Sequence, residues 1–134
     1  MPFTHGKKVQ FNWFLKNEKL TISNQKGRTH EYSLDEIFKV LRWLEKEFGQ
    51  SWFSLANNVA KLGKGTEKPG LGSAILEIAP GDISHAQGSS YLGVVLEEVG
   101  LLQWNGARKG IKWRIVHKVQ NEQDLRHILE SESK

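Results

Sequence analysis

The spacing of hydrophobic and polar positions changes several times along this chain, and each change marks a different kind of element. Val9, Phe11, Trp13 and Leu15 recur at a period of two, which predicts a half-buried strand. Lys16-Asn17-Glu18-Lys19 reads as a turn into a second strand, Leu20 to Ser23. Asn24-Gln25-Lys26-Gly27 reads as a turn into a short third strand, Arg28 to Tyr32. A ribbon of this size is marginal alone and needs a helix or a second sheet on its apolar face.

From Ser33 the period lengthens to that of a helix. Ser33-Leu34-Asp35-Glu36 has the form of a capping box, and the helix it opens runs to about Phe48, with Gly49 just past its end. Ile37, Val40 or Leu41, Leu44 and Phe48 form its buried stripe. Trp52, Leu55, Ala56, Val59 and Leu62 carry the same spacing and predict a second helix, stopped by Gly63. Residues 63–72 are rich in glycine and read as a flexible loop. Ser73 to Ala79 fits either a helical turn or a strand, ended by Pro80-Gly81.

The stretch from Ser89 to Val116 carries the strongest pattern. Leu92, Val95, Leu96 and Val99 make one helical stripe, and Gly100 supplies a residue able to take a left-handed cap. The period then returns to two: Leu102 and Trp104 flank Gln103, while Ile111, Trp113 and Ile115 alternate with Lys112 and Arg114. Asn105 to Gly110 joins the two strands. Asn121 to Leu129 predicts a short last helix with Leu125, Ile128 and Leu129 on its apolar side, and Ser131 to Lys134 should fray.

Composition narrows the class. A chain of 134 residues suits one domain with its own core, and five Trp and six Phe make that core aromatic. No cysteine is present, which excludes disulfides and thiolate chemistry and fits a reducing compartment. No apolar run approaches the ~18 residues of a membrane span, and residues 1–8 lack the apolar core of a secretory signal, so a cytoplasmic protein is expected. The distribution of charge says more than the net +4. Residues 105–118 hold Arg108, Lys109, Lys112, Arg114 and Lys118 with no acid, whereas 63–104 hold two basic and five acidic residues. Positive charge gathered on one ribbon is the footprint of a phosphate-binding surface, although a solvated hairpin tip has the same composition.

The run Val95-Leu96-Glu97-Glu98-Val99-Gly100-Leu101-Leu102, followed by a basic loop and a strand ending Lys112-Trp113-Arg114-Ile115, resembles winged helix-turn-helix regulators. The resemblance implies an α+β fold: a single winged helix-turn-helix domain over 1–134, with an N-terminal β-meander (1–32), a helical core and wing (33–116) and an extension (117–134) ending in a short helix. It implies a prokaryotic transcriptional regulator whose partner is double-stranded DNA. The recognition helix would offer Gln87, Ser89, Ser90 and Tyr91 to bases or phosphates, with Gln87 suited to adenine. The wing would place Arg108, Lys109, Lys112 and Arg114 on the backbone, with Lys64 adding a contact. A homodimer through the C-terminal helix is a further expectation. The chain departs from the pattern at 63–84, where the family needs only a short turn.

Enzyme signatures are poor. His5, His30, His85, His117 and His127 show no metal-ligand spacing, and Gly63-Lys64-Gly65-Thr66 does not meet the phosphate-loop pattern. No serine sits in a nucleophile elbow. No catalytic residue, metal or cofactor is therefore assigned. Two other readings stay open. The neutral helix face and acidic 63–104 segment suit a winged-helix module that binds protein rather than DNA, and the glycine loop leaves room for a small-ligand binder or enzyme.

Overall fold

Alternation in the first third of the chain builds an antiparallel meander of β1 (Phe11–Lys16), β2 (Lys19–Asn24) and β3 (Thr29–Ser33), in that order across the sheet. The computed structural model describes residues 2–132. Phe11, Trp13, Leu20, Ile22 and Tyr32 point into the core from one face of the meander. Asn17 and Glu18 both adopt positive φ, the twist that suits a two-residue hairpin turn.

α1 (Leu34–Phe48) lies over that face and buries Ile37, Val40, Leu41 and Leu44. Ser33 Oγ accepts from the Glu36 backbone N–H at 3.1 Å, so half of the expected capping box forms. The other half does not, because the Glu36 carboxylate is drawn instead to His85 Nε2. Ser33→Ala should therefore lower stability by about 1 kcal/mol, the usual worth of a lost N-cap, read from a urea titration.

The next segment differs from the sequence expectation. Trp52 to Leu62 is not one helix. β4 (Phe53–Ser54) comes first, then a connection in which Ala56 takes a φ of 50°, then α2 (Val59–Lys64). Asn58 caps α2 through its side chain, and Gly63 lies inside the helix rather than after it. The apolar spacing was right for a helix, but pairing of Phe53 with Trp113 in a sheet outweighs local propensity. Residues 70–72 are held rather than loose: Gly72 N–H donates to the Leu55 carbonyl at 2.8 Å and Leu71 is fully buried. Leu71 opens α3 (Leu71–Ile78), which decides the helix-or-strand alternative for 73–79 in favour of helix.

α4 (Ile83–Gln87) and α5 (Ser89–Glu98) follow, separated at Gly88, so the expected helix over 87–98 begins at Ser89. α5 ends as its sequence indicates. Gly100 has φ 88°, its N–H reaches Glu97 O at 3.0 Å, and Leu101 N–H reaches Leu96 O at 2.9 Å, the paired bonds of a Schellman cap. β5 (Leu102–Trp104) and β6 (Lys112–Ile115) join β4 in a second antiparallel sheet of order β4-β6-β5.

α6 (Glu122–Glu132) closes the described chain. Ser131 belongs to this helix rather than fraying, and the expectation for Ser133 and Lys134 lies outside the described residues. Leu125 and Leu129 are buried and α6 packs on α1. Arg42 Nη2 also donates to the Gln120 carbonyl at 2.9 Å, and Arg126 pairs with Glu18. Of the three apolar residues behind the dimer expectation, Leu125 and Leu129 are buried in the chain's own core and Ile128 packs against it. The fold is thus α+β, with six helices and two small antiparallel sheets among the described residues, and one cluster of buried side chains links both sheets to the helices. None of these helices is long and apolar enough to cross a membrane.

Candidate nucleic-acid interface

Two strands and the loop between them position the basic residues. Along β6 the side chains alternate: Trp113 and Ile115 are buried, which leaves Lys112 and Arg114 on the outer face. The loop from Asn105 to Gly110 is held by the Asn105 side chain. Its Oδ1 accepts from the N–H groups of Ala107 (3.1 Å) and Lys112 (3.2 Å), and its Nδ2 donates to the Gly110 carbonyl (3.1 Å). Trp104 Nε1 adds a bond to the Ala107 carbonyl at 3.0 Å. A loop tied at this many points presents Arg108 and Lys109 with little ordering left to do on binding.

None of Arg108, Lys109, Lys112 and Arg114 pairs with a carboxylate among the described residues. The Arg108 guanidinium donates to a backbone carbonyl, Gly6 O, at 3.5 Å. Arg114 Nε donates to Gln103 Oε1 at 2.7 Å, and its guanidinium lies 4.9 Å from the Trp52 ring centroid. Trp52 is 40% exposed, unusual for an indole, and continues the outer face of this sheet. Lys118, by contrast, is bound to Glu45 on α1 at 3.2 Å. Four of the five basic residues in 105–118 therefore lie on one ribbon with no carboxylate partner among the described residues.

The helix expected to read bases is placed differently. A 100° step from Leu92 puts Gln87, Ser90, Val94 and Glu97 on the face opposite the core stripe, yet Val94 is buried and Glu97 is engaged. Glu97 Oε1 accepts from Trp113 Nε1 at 3.1 Å and pairs with His5 Nε2 at 2.7 Å, and the His5 ring stacks on Trp104 at 3.5 Å. The N-terminal segment thus lies across the C-terminal part of α5. Ser89 is fully buried and cannot reach an external group, because the α4–α5 junction packs it inward. Tyr91 is half-buried, edge-on to Phe11 at 5.1 Å, and its hydroxyl accepts from Asn24 Nδ2 at 3.1 Å. Gln87, Ser90 and Tyr91 open on a cleft rather than on a protruding helix face. Lys64 is exposed in the last turn of α2, on neither the ribbon nor the cleft wall.

Behind this cleft, His85 and Tyr32 join β3 to α4. Tyr32 Oη donates to the His85 carbonyl at 2.8 Å, and burial followed by the charges of Glu36 and Asp82 pushes its phenol well above the usual range. It is a structural donor. His30, near Tyr91, has its pKa lowered by burial first and then by Arg28 and His85. A lowered histidine pKa means that the folded state resists protonation, so stability falls as pH drops below about 6.5, where the unfolded chain takes up the proton. His30→Gln should flatten the loss of urea stability between about pH 7 and pH 5.

Sequence reasoning located the ribbon but missed Trp52, Lys26 and Arg28 as parts of a surface. The spacing of Trp52 predicts a helix, Lys26 falls in a predicted turn, and Arg28 opens the predicted third strand, whereas β3 begins at Thr29. No group of three or more His, Asp or Glu residues among those described is arranged to hold a metal ion. Comparison with protein-family models, curated proteins and solved structures finds no match to this chain.

Proposed function

We propose that this chain is a winged-helix protein that binds double-stranded DNA, with transcription regulation as its role. The order α1, β4, helices α2 to α5, β5 and β6, with β6 between β4 and β5, supports the winged-helix reading. The observation that carries the binding is the rigid ribbon with four basic residues free of internal carboxylates. Such a ribbon suits phosphates, each neutralised contact releasing counterions. The covered face of α5 argues for backbone contact by the wing over base reading along the helix, with Gln87 at the end of α4 and Ser90 in the first turn of α5 left lining the cleft.

Arg108→Ala/Lys109→Ala should weaken binding to a random-sequence duplex by about tenfold or more at low salt, and to a similar degree on every sequence, read by fluorescence anisotropy. A variant that binds as well as the parent removes the wing from the interface. The engaged, acidic end of α5 favours a second reading, a protein-binding module, which is the one left standing if the parent chain binds no DNA.

A further inference from the structure

The wing leaves unexplained a cleft of about 810 Å³ between the N-terminal segment, the β2–β3 turn, the start of α5 and the β4–α2 connection. Contacts join its walls. Gly6 sits against Ile111, where an added Cβ would lie 3.5 Å from Ile111 Cδ1. Leu55 N–H donates to the Ile111 carbonyl at 3.1 Å, and Asn57 Nδ2 donates to the Gln87 carbonyl at 3.1 Å. Asn24 Nδ2 also reaches Tyr91 Oη at 3.1 Å, joining the β2–β3 turn to α5. The volume falls within the roughly 300–1,000 Å³ of small-molecule sites.

The two sides of the cleft differ chemically. Lys7, from the N-terminal segment, and Lys26 and Arg28, from the β2–β3 turn, supply positive charge. All three are exposed, and none pairs with a carboxylate among the described residues. Leu55 and Val59, from the β4–α2 connection and the start of α2, and Ile111, before β6, supply apolar lining, and Val59 is 45% exposed although it is a large aliphatic residue. Among the described residues, no Asp or Glu lines the space. Gln87 also lines the space, and its side-chain amide is of the type that pairs with the N6/N7 edge of adenine.

We propose that this cleft binds a free nucleoside phosphate, its phosphate held by Lys7, Lys26 and Arg28 and its base against Leu55, Val59 and Ile111. An anion with a flat apolar body matches both sides at once; a bare anion matches one. The site needs no nucleic acid and stands or falls apart from the wing. The test is a titration of the full-length, 15N-labelled chain with AMP and, separately, with inorganic phosphate, followed by amide chemical shifts. AMP should give saturable shifts at Lys26, Arg28, Leu55 and Ser90 with a Kd of about 1 mM or tighter, and phosphate should bind at least about tenfold more weakly. Lys26→Ala/Arg28→Ala changes only exposed turn residues and should weaken AMP about tenfold. Val59→Asp, at a helix N-terminus where an acid is tolerated, should do the same by setting a charge in the apolar lining that takes the base and lowering the cleft's positive potential. Absence of saturation at roughly ten times that AMP concentration, phosphate binding as tight as AMP, or variants that bind like the parent would each overturn the assignment.

Discussion

Trp113→Ala should cost about 3–5 kcal/mol of folding stability, the range for truncating a large buried aromatic residue. The indole is 1% exposed and is paired across the sheet with Phe53 on one side and Trp104 on the other. Its six-membered ring lies on the backbone of α5 and its Nε1 donates to Glu97 at 3.1 Å. Truncation therefore opens a cavity where sheet, helix and N-terminal segment meet, and removes one of the two partners of the Glu97 carboxylate. Against a total stability of about 5–15 kcal/mol, such a loss leaves a marginal domain. Urea unfolding at neutral pH reads it directly. A loss below about 1 kcal/mol would mean that the second sheet does not pack on α5 in this way.

Gly93→Ala tests the same contact from the helix side. Alanine is the better helix former by about 1 kcal/mol, so at a free helical position this change would stabilise. Here an added Cβ would stand 2.5 Å from Trp113 Cη2 and 2.6 Å from Cζ2, closer than atoms pack. The indole is buried and paired, so it has little freedom to retreat. Overpacking of this kind costs about 1–3 kcal/mol, and a net destabilisation is the expected result. Trp113→Phe should recover part of the loss when combined with Gly93→Ala, because the smaller ring vacates the clashing space. The two effects are thus expected to be non-additive in a double-mutant cycle. Stabilisation by Gly93→Ala alone would contradict the close approach.

Much of the frame was legible in local pattern. The alternation from Phe11 to Tyr32 marked the meander, Ser33 and Gly49 bracketed α1, and Gly100 marked the change from helix to ribbon. These elements are set by neighbours in sequence: a cap, a turn, one stripe. What stayed hidden depends on partners far along the chain. Phe53 pairs with Trp113 sixty residues later, so the helical spacing of Trp52, Leu55 and Val59 was overridden by a sheet that local pattern does not encode. The Asn57-Asn58 pair was the signal available, since asparagine favours caps over helix interiors, and Asn58 does cap α2.

The candidate site divides the same way. Arg108, Lys109, Lys112 and Arg114 were legible because charge and alternation lie on contiguous residues. The cover over α5 was not, because His5 and Glu97 are 92 positions apart and neither residue signals the other. Lys7, Lys26 and Arg28 join one cleft through tertiary packing of two separate turns, which no spacing rule anticipates. Val94 illustrates the cost of assuming an exposed face: it stands opposite Leu92 on the helix wheel, yet a second layer of structure buries it as well.

We propose that the carboxylate-free ribbon meets the DNA backbone. The most direct measurement is the affinity of the intact chain for a random-sequence duplex across a series of monovalent salt concentrations. If all four cations engage phosphates, log K against log salt should fall with a slope of roughly −3.6, about −0.9 for each contact. No binding at the lowest salt, or an affinity that does not change with salt, would contradict the account.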